Sequence, residues 1–253
     1  MLCKLVSMVN NKVLEKYINE YLNIAKFDDY CPNGLQIEGK ANISRVVSGV
    51  SANQDLIDQA IDEKTDALLV HHGFFWKGEV QTLTGIKKNR IKALLEHDIN
   101  LFAYHLPLDA HPIVGNNAQL AQLFNIKNPH PVGDTLVWQG ESHVTLAELC
   151  DIIEQETTRS TLSFGNQDRK MSKVAWCSGG AQNYIKHAID VKADCFITGE
   201  VSEQIPAIAK ENDIAFISAG HHATERYGVQ ALGKHLSQKY SLDYQYIDVD
   251  NIV

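Results

Sequence analysis

"RVVSGVSANQDLIDQAIDEKTDALLVHHG", residues 45–73, decides the fold because the chain carries it twice. Laid over "KVAWCSGGAQNYIKHAIDVKADCFITGEV", residues 173–201, it keeps a constant offset of 128 with no gap. Identities include Val46 over Val174, Gln54 over Gln182, Ile57 over Ile185, Ala60-Ile61-Asp62 over Ala188-Ile189-Asp190, Lys64 over Lys192 and Asp66 over Asp194. Each copy reads as an apolar strand, a turn of small residues, an amphipathic helix and a second apolar strand, which is one βαβ unit. Past each copy another apolar strand ends in a histidine with an acid four residues on. "NLFAYHLPLD" (100–109) carries His105 and Asp109, and "AFISAGHHATE" (215–225) carries His221 and Glu225.

Helical stretches such as "NQDLIDQAIDEK", "IKKNRIKALLEH" and "RYGVQALGKHLSQKY" alternate with these strands. The expected fold is therefore α/β, with two similar βαβ-containing lobes whose mostly parallel sheets are flanked by helices. "DTLVWQG" and "LSFGN" offer further strands to the second half. The stretch "NPHPVG" (128–133) lacks periodicity and marks the boundary, giving a first lobe over 1–127 and a second over 128–253.

The whole chain has 253 residues, 44% hydrophobic and 21% charged, enough for a sizeable core. Thirty-one acidic against 23 basic residues give a net charge of -8, which argues against general binding to nucleic acid or to an anionic membrane surface. Cys3, Cys31, Cys150, Cys177 and Cys195 are odd in number, widely spaced and never in a CxxC pair, so neither a disulfide framework nor a zinc ribbon is indicated. A lysine breaks the apolar stretch of the N-terminus, which fits neither a signal peptide nor a membrane span, and a cytoplasmic location is expected. Met8 is an alternative start.

The functional reading rests on the strand ends. His71, His72, His105 and His221 each follow an expected strand, and loops at the carboxyl ends of strands are where α/β sheets gather ligands. With Asp109 and Glu225 they make a set of imidazoles and carboxylates of the kind that holds zinc, iron, manganese or nickel. Six such groups exceed one tetrahedral ion. Adjacent residues of a strand point to opposite sides, so His71 and His72 would serve two ions more easily than share one. Four neutral imidazoles and two carboxylates leave two divalent ions with net positive charge, which favours a bound hydroxide and an anionic substrate. His222 reads as an outer-shell group or proton donor, and His111 is left open.

Phe74, Phe75 and Trp76 in "GFFWKG" (73–78) read as aromatics that pack a loop onto the core, with ring stacking on a substrate as the alternative. Glu200 occupies the repeat position of His72 and reads either as a base or outer-shell group of the same cleft or as a helix N-terminal acid. Signatures for dinucleotide, P-loop, esterase and zincin sites are missing, and "WCSGG" has no phosphate-loop lysine.

"DDYCPNGLQIEG" (28–39), "LLVHHGFFW" (68–76), "HLPLDAH" (105–111), "NNAQLA" (116–121), "FITGEVSEQ" (196–204) and "AGHHATERYG" (219–228) together resemble the Nif-three-like family, which includes the bacterial GTP cyclohydrolase 1 type 2 homologue group. The resemblance implies a two-lobed α/β protein with a dinuclear metal site between the lobes, assembled as a ring-shaped homohexamer. It places the metal ligands on His71, His72, Asp109, His221 and Glu225, with His105 as a further ligand or close neighbour. It implies a metal-dependent hydrolase acting on a small, anionic, nucleotide-like molecule and names no catalytic residue. A phosphoesterase and a non-catalytic metal-binding or regulatory scaffold are the alternatives.

Overall fold

The computed structural model describes residues 7–253, so the expectations for Cys3 and for a start at Met1 lie outside the described residues. The chain through Leu108 together with Gly228–Asp250 makes one compact unit, and Asp109–Tyr227 with Asn251–Val253 makes a second. The first unit contains β1 (Val9–Asn10), α1 (Asn11–Tyr21), β2 (Gly34–Ile37), β3 (Asn42–Ile43), β4 (Arg45–Ser51), α2 (Gln54–Asp62), β5 (Ala67–His72), α3 (Gly85–Glu96) and β6 (Asn100–Ala103). The chain changes unit within α4 (Leu106–Ala110). The second unit then holds α5 (Asn116–Leu123), β7 (Lys127–Pro131), β8 (Trp138–Glu141), α6 (Leu146–Thr157), β9 (Leu162–Phe164), β10 (Lys173–Trp176), α7 (Ile185–Asp190), β11 (Cys195–Thr198), α8 (Ile205–Glu211) and β12 (Ala215–Ser218). Through α9 (His221–Tyr240) the chain returns to the first unit and ends its regular structure in β13 (Asp243–Tyr246).

Local chemistry accounts for the first βαβ unit. Asn53 starts α2 by accepting the Leu56 N–H at 2.9 Å. Leu56, Ile57 and Ala60, spaced for one helix face, are buried with Val47, Leu68, Val70 and Leu101 of the sheet. Burying each Leu or Ile stabilises by about 1.5–3 kcal/mol. The resulting sheet runs β13-β4-β5-β6-β2, with β13, β4, β5 and β6 parallel and β2 antiparallel at the edge.

The second sheet runs β7-β8-β10-β11-β12-β9, and only β10-β11-β12 are parallel. The expectation of mostly parallel sheets therefore describes the first sheet, whereas the second is mixed, with antiparallel β7, β8 and β9 added around a parallel centre. A short connection such as that between β7 and β8 permits only antiparallel pairing. The "NPHPVG" stretch supplies β7, fully exposed at the sheet edge, the place where prolines are tolerated in a sheet.

The internal repeat extends to the hydrogen bonds. Lys64 and Lys192 both adopt φ 55, and the following residues close the same turn, Thr65 N–H to Ala60 O and Ala193 N–H to Ala188 O. Asp66 Oδ2 accepts the N–H groups of Ser44 and Arg45, and Asp194 Oδ2 those of Ser172 and Lys173. On the third strand the register changes. Asn100 and Tyr104 donate to Asp66 and Val70 as Ala215 and Ala219 donate to Asp194 and Thr198, an offset of 115. Gly220 thus stands where the first unit has His105, and His221 comes one residue later.

Candidate metal centre

In the first unit, β5 ends on both imidazoles. His71 is fully buried and its Nδ1–H donates to the Tyr104 carbonyl at 2.9 Å. His72 is paired in register with Ser51 and its Nδ1 lies 3.0 Å from the Ser51 hydroxyl. His105, just after β6, donates from Nδ1 to Asp29 Oδ1 at 2.7 Å. Opposite pleats do not keep the first two rings apart. Their centroids are 4.6 Å from each other and 5.1 and 5.7 Å from His105, and one ligand atom from each of the three lies within 4.8 Å of the others. At the last residue of a strand the pleat no longer continues, so rings from both faces can reach the same edge.

The "DDYCPNG" segment frames this cluster. Burial works to raise the Asp29 pKa, but donors from His105, Asn33 and Tyr30 outweigh it and hold the carboxyl below its ordinary range. Asp29 Oδ2 also accepts the Leu106 N–H at 3.0 Å, and Asn33 Oδ1 accepts the His105 N–H at 2.7 Å, so both residues fix the turn that carries His105. Cys31 lies within ligand distance of Asp29 and His105, yet burial and then the Asp29 charge push its thiol up to about 12, which keeps it protonated.

In the second unit, Asp109 is buried and its Oδ1 accepts Asn116 Nδ2 at 2.9 Å and Ser178 Oγ at 2.8 Å. Asn117 completes the frame, donating to the Asp109 carbonyl and accepting the Ser178 N–H. His221 and Glu225, one turn apart on α9, face each other at 3.1 Å between Nε2 and Oε2. Glu200 Oε1 accepts from His221 Nδ1 at 2.6 Å, and it lies ahead of α8 rather than in its first turn. Burial lowers the His221 pKa, but Glu225 and then Glu200 reverse this and raise it to about 9.

Glycines make room for this pair. Gly179 has φ 67, and a Cβ there would sit 2.1 Å from Glu225 Oε1. Thr224 Oγ1 accepts the Gly179 N–H at 2.9 Å, and Thr198 Oγ1 donates to its carbonyl at 3.0 Å. The "WCSGG" segment is thus a close-approach turn behind the acid–histidine pair. His222 is buried on the same helix, its N–H bonded to the Val253 carbonyl. His111 accepts the N–H groups of Ile113 and Val114 at Nδ1 and so caps the turn ahead of α5.

These donors fit a transition metal. His71, His72, His105 and His221 each engage a chain partner through Nδ1, which fixes the ring and leaves Nε2 as the atom that would reach a metal, the arrangement typical of imidazoles that bind metals, although at His221 the Glu225 carboxylate now faces Nε2. Asp109 and Glu225 are buried carboxylates, and burying a carboxylate calls for a positive partner. The sequence reading of Asp109 and Glu225 did not reach Asp29, Asn33, Ser178, Asn117 and Thr224. Asp29, Asn33, Asn117 and Thr224 all lie in segments that carry the resemblance and Ser178 lies in "WCSGG", but nothing in those segments marked them as supports of the site.

The sequence pattern of the Duf34/NIF3 (NGG1p interacting factor 3) family matches residues 9–251. The chain belongs to this family. A Yersinia pestis protein named GTP cyclohydrolase 1 type 2 homolog is 50% identical over 246 residues, spanning 96% of this chain and 99% of that one. The solved structure of protein ybgI, described as of unknown function, is 47% identical with a TM-score of 0.93, covering 97% of this chain and all of that one. A Thermus thermophilus protein superposes with a TM-score of 0.90 at 33% identity, covering 97% of this chain and all of its own. Among the described residues no helix of this Duf34/NIF3 member is long and apolar enough to cross a membrane.

Proposed function

We propose that the protein holds two divalent transition-metal ions, of iron, zinc, manganese or nickel, on His71, His72, Asp109, His221 and Glu225, and hydrolyses a small anionic, nucleotide-like substrate. The observation that carries this reading is the shared use of Nδ1 by the four imidazoles, each turned by a carbonyl, hydroxyl or carboxylate of its own unit. The name shared by relatives 44–50% identical to the chain supports the substrate class.

When bound, the ions supply Lewis acidity and an activated water at neutral pH. The chain's own residues do the remaining work. Asp109, clamped by Asn116 and Ser178, presents a carboxylate of fixed orientation. Glu200 holds the His221 ring with Nε2 3.1 Å from Glu225, the two groups that would hold an ion from this helix. His105, its Nδ1–H held by Asp29, is suited to carry a proton at Nε2 to or from a substrate oxygen. The ligands come from both halves of the sequence, and a ring-shaped homohexamer is the assembly we propose for the whole.

The test is turnover by metal-loaded protein over a panel of nucleotides and simple phosphoesters. Activity on a nucleotide, abolished in folded His71→Ala and Glu225→Ala, supports the reading. Metal loss in those variants with every activity of the wild type retained would leave a metal-binding scaffold instead.

A further inference from the structure

We propose that Tyr30 and Trp76 form a stacking subsite for the planar ring of the substrate, beside the histidine cluster of the first unit; this rests on the nucleotide-like reading above and specifies which residues grip the base. The aromatic loop does not act as one block. Phe74 is buried and Phe75 packs against the core cluster of the first unit. Trp76, half-buried, is instead set against the histidines, its ring centroid 5.0 Å from His105 at an interplanar angle of 85° and 5.8 Å from His72. Tyr30, 56% exposed, meets His105 from a different chain segment, with centroids 6.3 Å apart. A large aromatic that remains this exposed beside buried polar chemistry offers a surface on which a flat ring can stack.

The chain holds the two rings in place by backbone means. The Lys77 N–H donates to the Tyr30 carbonyl at 2.6 Å, tying the two loops together next to both aromatics. Gln36 clamps the turn ahead of Trp76 from both sides, accepting the Phe74 N–H at 2.7 Å and donating to the Phe74 carbonyl at 3.1 Å. Gly73 is required there, since a Cβ would lie 2.2 Å from Gln36 Oε1 and 2.6 Å from the Ala103 Cβ. Phe75 takes φ 66, a left-handed conformation unusual for a bulky residue, and this reverses the chain between the core-facing phenylalanines and Trp76. The Trp76 Nε1–H donates to the Gly73 carbonyl at 3.2 Å, so the one polar atom of the indole is satisfied within the loop and its π surface is what it can offer a ligand. Stacking of this kind accepts any base, so the subsite selects planar heterocycles over aliphatic phosphates without reading base identity.

The experiment uses the metal-loaded full chain and three probes: guanosine 5′-monophosphate, adenosine 5′-monophosphate and ribose 5-phosphate. Binding is followed by calorimetry and by indole fluorescence. Trp138 and Trp176 are buried in the second unit, so quenching by a stacked base is expected to disappear in Trp76→Leu. Both nucleotides should bind about ten-fold more tightly than ribose 5-phosphate, and Trp76→Leu and Tyr30→Ala should each remove most of that advantage while leaving ribose 5-phosphate binding unchanged. If Trp76→Leu does not fold, Tyr30→Ala, at an exposed side chain, decides. Retention of the nucleotide advantage in the folded variants would overturn the subsite and leave the nucleotide reading standing. Equal binding of all three probes by the wild type would also overturn the subsite, and binding of none would sink both.

Discussion

Replacing Gly179 by alanine tests the packing behind Glu225. At φ 67 a non-glycine residue costs about 1–2 kcal/mol. The new methyl would also lie 2.1 Å from Glu225 Oε1, so the carboxylate has to move out of line with His221 Nε2, from which Oε2 now stands 3.1 Å. A charge-assisted contact is worth about 1.5–3 kcal/mol, and the partial exposure of His221 favours the lower end. Gly179→Ala should therefore destabilise chelated protein by roughly 2–4 kcal/mol and weaken metal binding by about 10–100-fold, because the acid is no longer aimed. Gly133→Ala is the control, since Gly133 also has positive φ, 55, but a Cβ added there would meet nothing within 4 Å. It should show only the backbone cost and bind metal normally. Urea unfolding of chelated protein and metal competition with a chromophoric chelator measure the two effects. Equal stability and equal metal affinity for the two variants would refute the argument that Gly179 is shaped around Glu225.

Two further outcomes are expected. Burial works to raise the Asp66 pKa, but Lys40, Ser44 and the Arg45 N–H outweigh it and hold it below its ordinary value. Its contribution to stability is therefore present above the unfolded-state value of about 3.9 and lost as pH falls through the lower folded value, so Asp66→Ala should flatten the acid limb of a stability–pH curve. Asp109→Ala with Glu225→Ala should lose little more metal affinity than either change alone, measured by chelator competition, whereas additive losses would mean that the two acids serve independent sites.

The parts of the fold that repeat locally could be read from sequence. The offset of 128 between residues 45–73 and 173–201 reappears in the turns at Lys64 and Lys192 and in the Asp66 and Asp194 hydrogen bonds, because a βαβ unit is built from contacts close in the chain. The match of His105 with His221 missed by one residue, since the inserted Gly220, at φ 94, changes the turn and not the apolar pattern that aligns the strands. The pairing of β13 with β4 joins residues almost 200 apart, as in Asp243 with Arg45, and no periodicity announces it. The same holds for the frame of the site. Asp29 with His105 and Ser178 with Asp109 lie 76 and 69 residues apart, and an ordinary polar residue gives no signal of so distant a partner. Histidines at strand ends were conspicuous because an apolar run rarely terminates in two imidazoles, while the carboxylate and hydroxyl groups that orient them were not.

The most direct measurement is the metal content of full-length protein purified without chelators, determined by elemental analysis against protein concentration. The ligand set His71, His72, Asp109, His221 and Glu225 predicts close to two transition-metal equivalents per chain, falling in His71→Ala and in Glu225→Ala. A ratio that stays near one, or near zero, after incubation with iron, zinc, manganese or nickel would contradict a dinuclear centre.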